Sequence, residues 1–245
     1  MKAKRLLPFL LLLAAAGLAG WFLPVLAAKG YDHSTEGKAE TVDIRQIDIS
    51  YQSDLSIADR LRLIREHNTV SERIPLEHGI QLTDQEAKTI AESFLQTLTG
   101  TSGKLEAWNY SLDPELLSFE QEGSFLVWNV TVFWNGSWTC EMVLDDQTGL
   151  LLRCVLRNEE GIWENLFHGL DGASDGRTFI RSALENALLS HCRLRLSTDF
   201  TLSEALEDID QDGFIGSFLF TGDGVEPFEM SVLLVLFYGE LSINP

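Results

Sequence analysis

Residues 125–156, FLVWNVTVFWNGSWTCEMVLDDQTGLLLRCVL, constrain the fold more than any other stretch of the chain. Apolar and polar side chains alternate through three runs, and alternation with a period of two is the mark of a half-buried strand. Asn135-Gly136 invites a two-residue hairpin loop. That loop would set Val130 across from Glu141 and Asn129 across from Met142, mixing the two faces. A three-residue loop, Trp134 to Gly136 with a left-handed glycine, keeps them apart. It pairs Val132 with Trp138, Val130 with Cys140, Trp128 with Met142 and Leu126 with Leu144. A second turn centred on Gln147 sets Leu144 against Leu150, Met142 against Leu152 and Cys140 against Cys154, with Glu141 facing Arg153. The spacing therefore predicts a three-stranded antiparallel meander. Val130, Cys140 and Cys154 form its buried row, and Asn129, Glu141 and Arg153 its wet row. A slip of one residue would exchange the faces, so the apolar pattern decides.

A sheet with one apolar face needs a cover. LTDQEAKTIAESFLQTLTG, residues 82–100, supplies one. Thr83 and Glu86 form a capping box, and Gly100 ends the helix. Ala87, Ile90, Ala91, Phe94, Leu95 and Leu98 recur at helical spacing on one side. A helix opening LTDQEAKTIA, followed by VWNVTVFW and WTCEMVLDDQTGLLLRC, resembles a PepSY-type domain over residues 80–156. That family pairs a helix with a small antiparallel sheet whose last hairpin carries an Asp-x-x-Thr-Gly-like turn. Asp145 or Asp146, with Thr148 and Gly149, matches it. The resemblance implies protein binding or peptidase restraint, and it supplies no catalytic residues.

The rest of the chain is read by the same rules. Residues 42–50 alternate like a strand, and 54–68 read as a helix with Ile57, Leu61 and Ile64 inward. After Arg157 a glycine-rich connection leads to a helix over 177–196, with Ile180, Leu184, Ala187 and Leu188 inward. Thr201 and Glu204 repeat the capping box and predict a short helix over 202–209. Strands over 214–220 and 228–238 follow, and the second, apolar on both faces, belongs inside a sheet. Helix then hairpin thus occurs twice. The expected fold class is α+β: a PepSY-like helix on a three-stranded meander, then a second helix–hairpin unit. The expected divisions are a membrane anchor or signal peptide over 1–28, a tether over 29–41, a PepSY-like domain over 42–157 and a second α+β unit over 158–245.

The N-terminus supplies an address. Lys2, Lys4 and Arg5 precede 23 uncharged residues, Leu6 to Ala28. As a helix these span roughly 34 Å, enough for a hydrocarbon core. Trp21 and Phe22 stand near its far end, where aromatic rings favour the interface. The cations hold the start in the cytoplasm, so the remainder faces outward. The expectation is a single-pass anchor in the cell membrane with the C-terminal domain outside. The alternative is a secreted chain, cleaved after the small residues around Val25 to Ala27. Without the three N-terminal cations the chain has 15 basic and 37 acidic side chains, a formal charge of −22. Such a surface repels phosphate backbones, which argues against nucleic acid as a partner.

Few residues point to chemistry. Asp208, Asp210 and Asp212, before Gly213, resemble the start of an EF-hand calcium loop. The bidentate acid required at the twelfth position is replaced by Leu219, and the residues after Gly213 alternate as a strand. No tight metal site is expected there, and these three acids are the only weak candidates. Cys140 and Cys154, opposite one another in the expected register, are within reach of a disulfide; the alternative is two buried thiols. His33, His67, His78, His168 and His191 fall at no metal-ligand spacing, and His191 is read as a helix-end cation. No catalytic set and no cofactor motif is evident. The expected function is a non-catalytic, membrane-tethered extracytoplasmic module that binds a protein or peptide. Two alternatives stand beside it: an envelope enzyme of unrecognised family that uses acidic residues with or without a cation, and a structural component of an envelope assembly.

Overall fold

The computed structural model describes residues 53–66, 70–100, 108–120, 122–134, 138–158, 175–210, 213–235 and 239–245. The N-terminal uncharged run, the tether, the strand expected over 42–50, the loop residues Asn135 and Gly136, and Asp212 lie outside them. Among the described residues there are three helices, α1 (Ile57–Arg65), α2 (Asp84–Thr99) and α3 (Gly176–Leu196). The strands are β1 (Val70–Pro75), β2 (Trp108–Phe119), β3 (Gly123–Trp134), β4 (Trp138–Asp145), β5 (Leu151–Asn158), β6 (Phe200–Asp210), β7 (Gly213–Gly222), β8 (Val225–Val235) and β9 (Glu240–Asn244). No described helix is long and apolar enough to cross a membrane.

All nine strands form one sheet in the order β1-β2-β3-β4-β5-β9-β8-β7-β6, and every neighbouring pair is antiparallel. This corrects the expected fold class. The three-stranded meander is the middle of a longer one, and the second helix–hairpin unit is not separate. Its strands join the same sheet where Cys154 of β5 pairs with Ile243 of β9. Helix-then-strands does occur twice: α2 precedes the meander β2–β5, α3 precedes β6–β9, and the last strands of the two meanders meet in mid-sheet. α2 packs on β2 and β3, α3 on β6, and the two helices on each other.

One face of the sheet is the core. Register places Val130, Met142, Cys154, Ile243 and Val232 in a single cross-strand row, with Met230 and Leu234 either side on β8, all buried. α2 forms as expected: Thr83 and Glu86 make the reciprocal capping box, Gly100 ends the helix at φ 71°, and the six expected apolar residues are buried. In α3, Ile180, Leu184, Ala187 and Leu188 are likewise buried. On the opposite face Leu117, Phe119, Phe125 and Val127 are buried too, with Leu55 lying over Gly123. α1 packs against β5 and β8.

Three strands escaped the sequence reading. β1 is short, β9 is only five residues, and β2 contains Pro114. Proline cannot donate to a ladder, but β1 pairs only with Glu115 to Phe119. At Pro114 β2 has a strand on one side alone, and there its carbonyl accepts from Leu76 N–H at 2.9 Å. The short helix expected over 202–209 is a strand. Phe200–Asp210 pairs with β7 along its whole length, leaving Leu202 and Leu206 half-buried on the helix-covered face. An isolated eight-residue helix is marginal in water, so strand pairing overrides a local capping signal.

The first turn of the central meander lies two residues from the expected register; at the second, Leu144 pairs with Leu151, one residue off, and a register shift between Val143 and Leu144 adds another. Val132 pairs with Cys140, Val130 with Met142 and Trp134 with Trp138. Cys140 then pairs with Leu156 and Met142 with Cys154, and Glu141 meets Val155 instead of Arg153. A slip of two preserves the faces. Val130, Cys140 and Cys154 are buried on one side as the pattern requires, while Glu141 is exposed and bonds Arg157 at 3.2 Å.

Candidate functional site

The most concentrated polar chemistry among the described residues is the turn between β4 and β5, Asp145 to Gly149. Asp145 and Asp146 are both buried, at 0% and 2% exposure. Buried carboxylates need partners, and each has a full set. Asp145 accepts from Arg60 Nη1 at 2.7 Å, from Thr148 N–H at 2.8 Å and from Thr148 Oγ1 at 2.6 Å. Its backbone closes the turn: Asp145 N–H donates to Leu150 O, and Gly149 N–H to Asp145 O. Gly149 is left-handed at φ 73°, a conformation that favours glycine.

Asp146 reaches the other way. Its oxygens accept from the backbone N–H groups of Ile80, Gln81 and Leu82 at 3.2, 2.9 and 3.2 Å, and from Trp128 Nε1 at 2.8 Å. The carboxylate thus holds the segment leading into α2 through three successive backbone N–H groups, which together favour negative charge. Arg60 is 3% exposed on the otherwise apolar inner stripe of α1. Besides Asp145 it donates to Gln147 Oε1 at 2.6 Å and to Ser53 O at 3.2 Å.

α3 closes the third side. His191 Nε2 accepts from Leu151 N–H at 2.9 Å, and its ring stands edge-on to Phe94 of α2 at 5.5 Å. Burial, then the nearby Arg195 guanidinium, depress its pKa to about 3. His191 is therefore a neutral acceptor well inside the helix, which runs on to Leu196, and not the helix-end cation expected. The turn ties α1, α2, α3 and β3 together. The space beside Arg60, Asp145 and Asp146 is about 10 Å³, room for about one water. The cluster holds the fold and has no space for a substrate.

The expected sites resolve as follows. Cys140 and Cys154 are free thiols with Sγ atoms 3.6 Å apart. They are diagonal on β4 and β5 instead of opposite, because of the two-residue shift in register. The contact with Cys154 and burial push the Cys140 pKa well up, which removes any thiolate character. Asp208 lies on the exposed edge strand β6, with Oδ1 3.5 Å from Arg177 Nη1. Asp210 ends that strand, and Asp212 lies outside the described residues. Among the described residues no three His, Cys, Asp or Glu side chains stand close enough together to hold a metal.

Larger open space lies elsewhere. A hollow of about 530 Å³ lies along β6 and β7, and one of about 320 Å³ between α1 and β8. The first opens on both faces of the sheet at β6, and the second borders the face opposite α2 and α3. There β7 presents Ile215 and Leu219, 49% and 40% exposed, with Glu207 across from Ile215 and Glu229 across from Leu219. Phe133 of β3 is exposed on the same face. No family model matches the chain, and neither does any curated protein or solved structure.

Proposed function

We propose that this chain is a non-catalytic, membrane-tethered extracytoplasmic module that binds a protein or peptide. The observation that carries the reading is the sheet face bearing Ile215 and Leu219. Large apolar side chains stand there in the open, spaced along one strand and flanked by Glu207 and Glu229. Apolar groups ringed by charge favour a protein partner over a small molecule, which needs a concave site. The PepSY-type resemblance over 80–156 supports the same reading, and the uncharged run behind three cations supports the tether.

The test is photo-crosslinking in native envelopes. A benzophenone amino acid replaces Ile215 or Leu219 in the full chain, with exposed Leu194 at the end of α3 as the control site. Specific protein adducts from the sheet positions and none from Leu194 are expected. Equal labelling at all three, or none, overturns the reading. Mass spectrometry of the mature N-terminus checks the tether separately: an intact Met1 or Lys2 supports an anchor, and a terminus at Ala28 or Lys29 replaces it with secretion.

A further inference from the structure

Among the described residues the sheet has two edges, and they are built differently. β1 is six residues long, ends in Pro75 and shifts register between Val70 and Glu72. Shortness, proline and a bulge are the devices that blunt an edge. β6 is eleven residues long with no proline, and it pairs with β7 regularly from Phe200 to Asp208, shifting register only at its end, between Asp208 and Asp210. Thr201, Ser203, Ala205, Glu207 and Ile209 are exposed on its open face, and Glu204 and Asp208 on the helix side. The 530 Å³ hollow straddles this edge, lined by Arg181 and Glu204 from one face and by Ala205, Glu207 and Ile215 from the other. We propose that the free edge of β6 captures an extended peptide segment carrying lysine or arginine side chains, by strand addition. The proposal rests on the protein-binding reading and names the partner's chemistry.

Charge selects the occupant. Along the edge Asp175, Glu204, Glu207 and Asp208 outnumber Arg177 and Arg181. Two copies of β6 laid side by side would oppose acid to acid, which is costly between neighbouring strands. A basic strand reverses that sign. The Arg181–Glu204 and Arg177–Asp208 pairs are partly exposed, and pairs in contact with water are weak enough to share with an incoming cation. Alternation dictates the rest. An added strand's helix-side residues would meet Glu204 and Asp208, and its other residues would meet Ala205 and Ile209. The best-matched segment therefore alternates basic and β-branched side chains. Main-chain hydrogen bonds would supply affinity, and the acids selectivity.

The test uses the purified full chain and three fluorescein-labelled nonapeptides. One alternates lysine and valine, one replaces lysine with glutamate, and one keeps lysine and valine with every backbone amide N-methylated. Anisotropy should show the first binding at least about tenfold more tightly than the other two, because only it has both the charge and the free amides. Asp208→Asn should weaken it by about threefold, the size of one exposed charge contact. Hydrogen exchange should slow in residues 201–208. Equal binding of the N-methylated peptide would mean charge capture alone and would overturn the proposal, as would slowed exchange confined to another element. A β6-mediated dimer seen by sedimentation, with no peptide binding, would overturn it in favour of a second copy. If crosslinks from Ile215 and Leu219 capture a partner while the lysine–valine peptide leaves β6 exchange unchanged, the protein-binding reading stands and the edge proposal falls.

Discussion

Asp146→Asn keeps the size of the side chain and changes one oxygen to an NH2 group. Four donors converge on the native carboxylate, two on each oxygen: Leu82 N–H and Trp128 Nε1 on Oδ1, Ile80 and Gln81 N–H on Oδ2. Whichever way the amide turns, two donors face a third donor. A buried donor left without an acceptor costs about 1–3 kcal/mol, so the substitution should remove about 4 kcal/mol. That is a large share of the roughly 5–15 kcal/mol that holds a domain together. Urea unfolding of the purified chain, followed by tryptophan fluorescence, reads the loss as a midpoint lowered by about 2 M at unchanged slope. Trp128→Phe removes one donor from the set, so the double variant should cost about 1 kcal/mol less than the two single losses together. A loss under about 1 kcal/mol for Asp146→Asn, or strict additivity with Trp128→Phe, would refute the claim that this carboxylate anchors the segment leading into α2.

His191 makes stability depend on pH. Its folded pKa, about 3, lies below the ordinary 6.5, so its contribution is full above pH 6.5 and is lost as pH falls from 6.5 towards 3. The linkage gives about 2 kcal/mol lost between pH 8 and pH 5. His191→Gln, which keeps an acceptor for Leu151 N–H, should flatten that slope in unfolding curves taken across the range. Arg60→Met should cost about 3–5 kcal/mol, because it leaves the Asp145 carboxylate buried and without its guanidinium. Thermal unfolding at neutral pH checks this, and Arg60→Lys, which restores charge without the fork to Gln147, should recover part of it.

How much of this was legible varied by element. α2 and α3 could be read from periodicity and, for α2, caps, because their signals are local and tertiary packing only confirmed them. β6 is the opposite case: Thr201 and Glu204 carry a helix-start signal, and only pairing with β7, which sets Thr201 against Thr221 and Glu204 against Phe218, decides against it. The acidic turn was visible as Asp145, Asp146, Thr148 and Gly149, but its partners were not. Arg60, a lone cation on the stripe of Ile57, Leu61 and Ile64, was the one available hint that an acid waited in the interior.

Alternation in the central strands by itself determined which side chains share a face, because the two faces of a strand differ whatever its neighbour is. Val130, Cys140 and Cys154 were bound to lie inside and Glu141 outside. Which residues lie opposite one another was a tertiary decision. A shift of two residues leaves the burial pattern unchanged, so only loop geometry and the packing of neighbouring strands could choose Met142 over Cys140 as the partner of Cys154. The joining of two meanders into one sheet was decided the same way. β9 is five residues, too short to announce itself, and it is held because β5 and β8 leave between them a gap one strand wide, with unpaired backbone groups on both sides to satisfy.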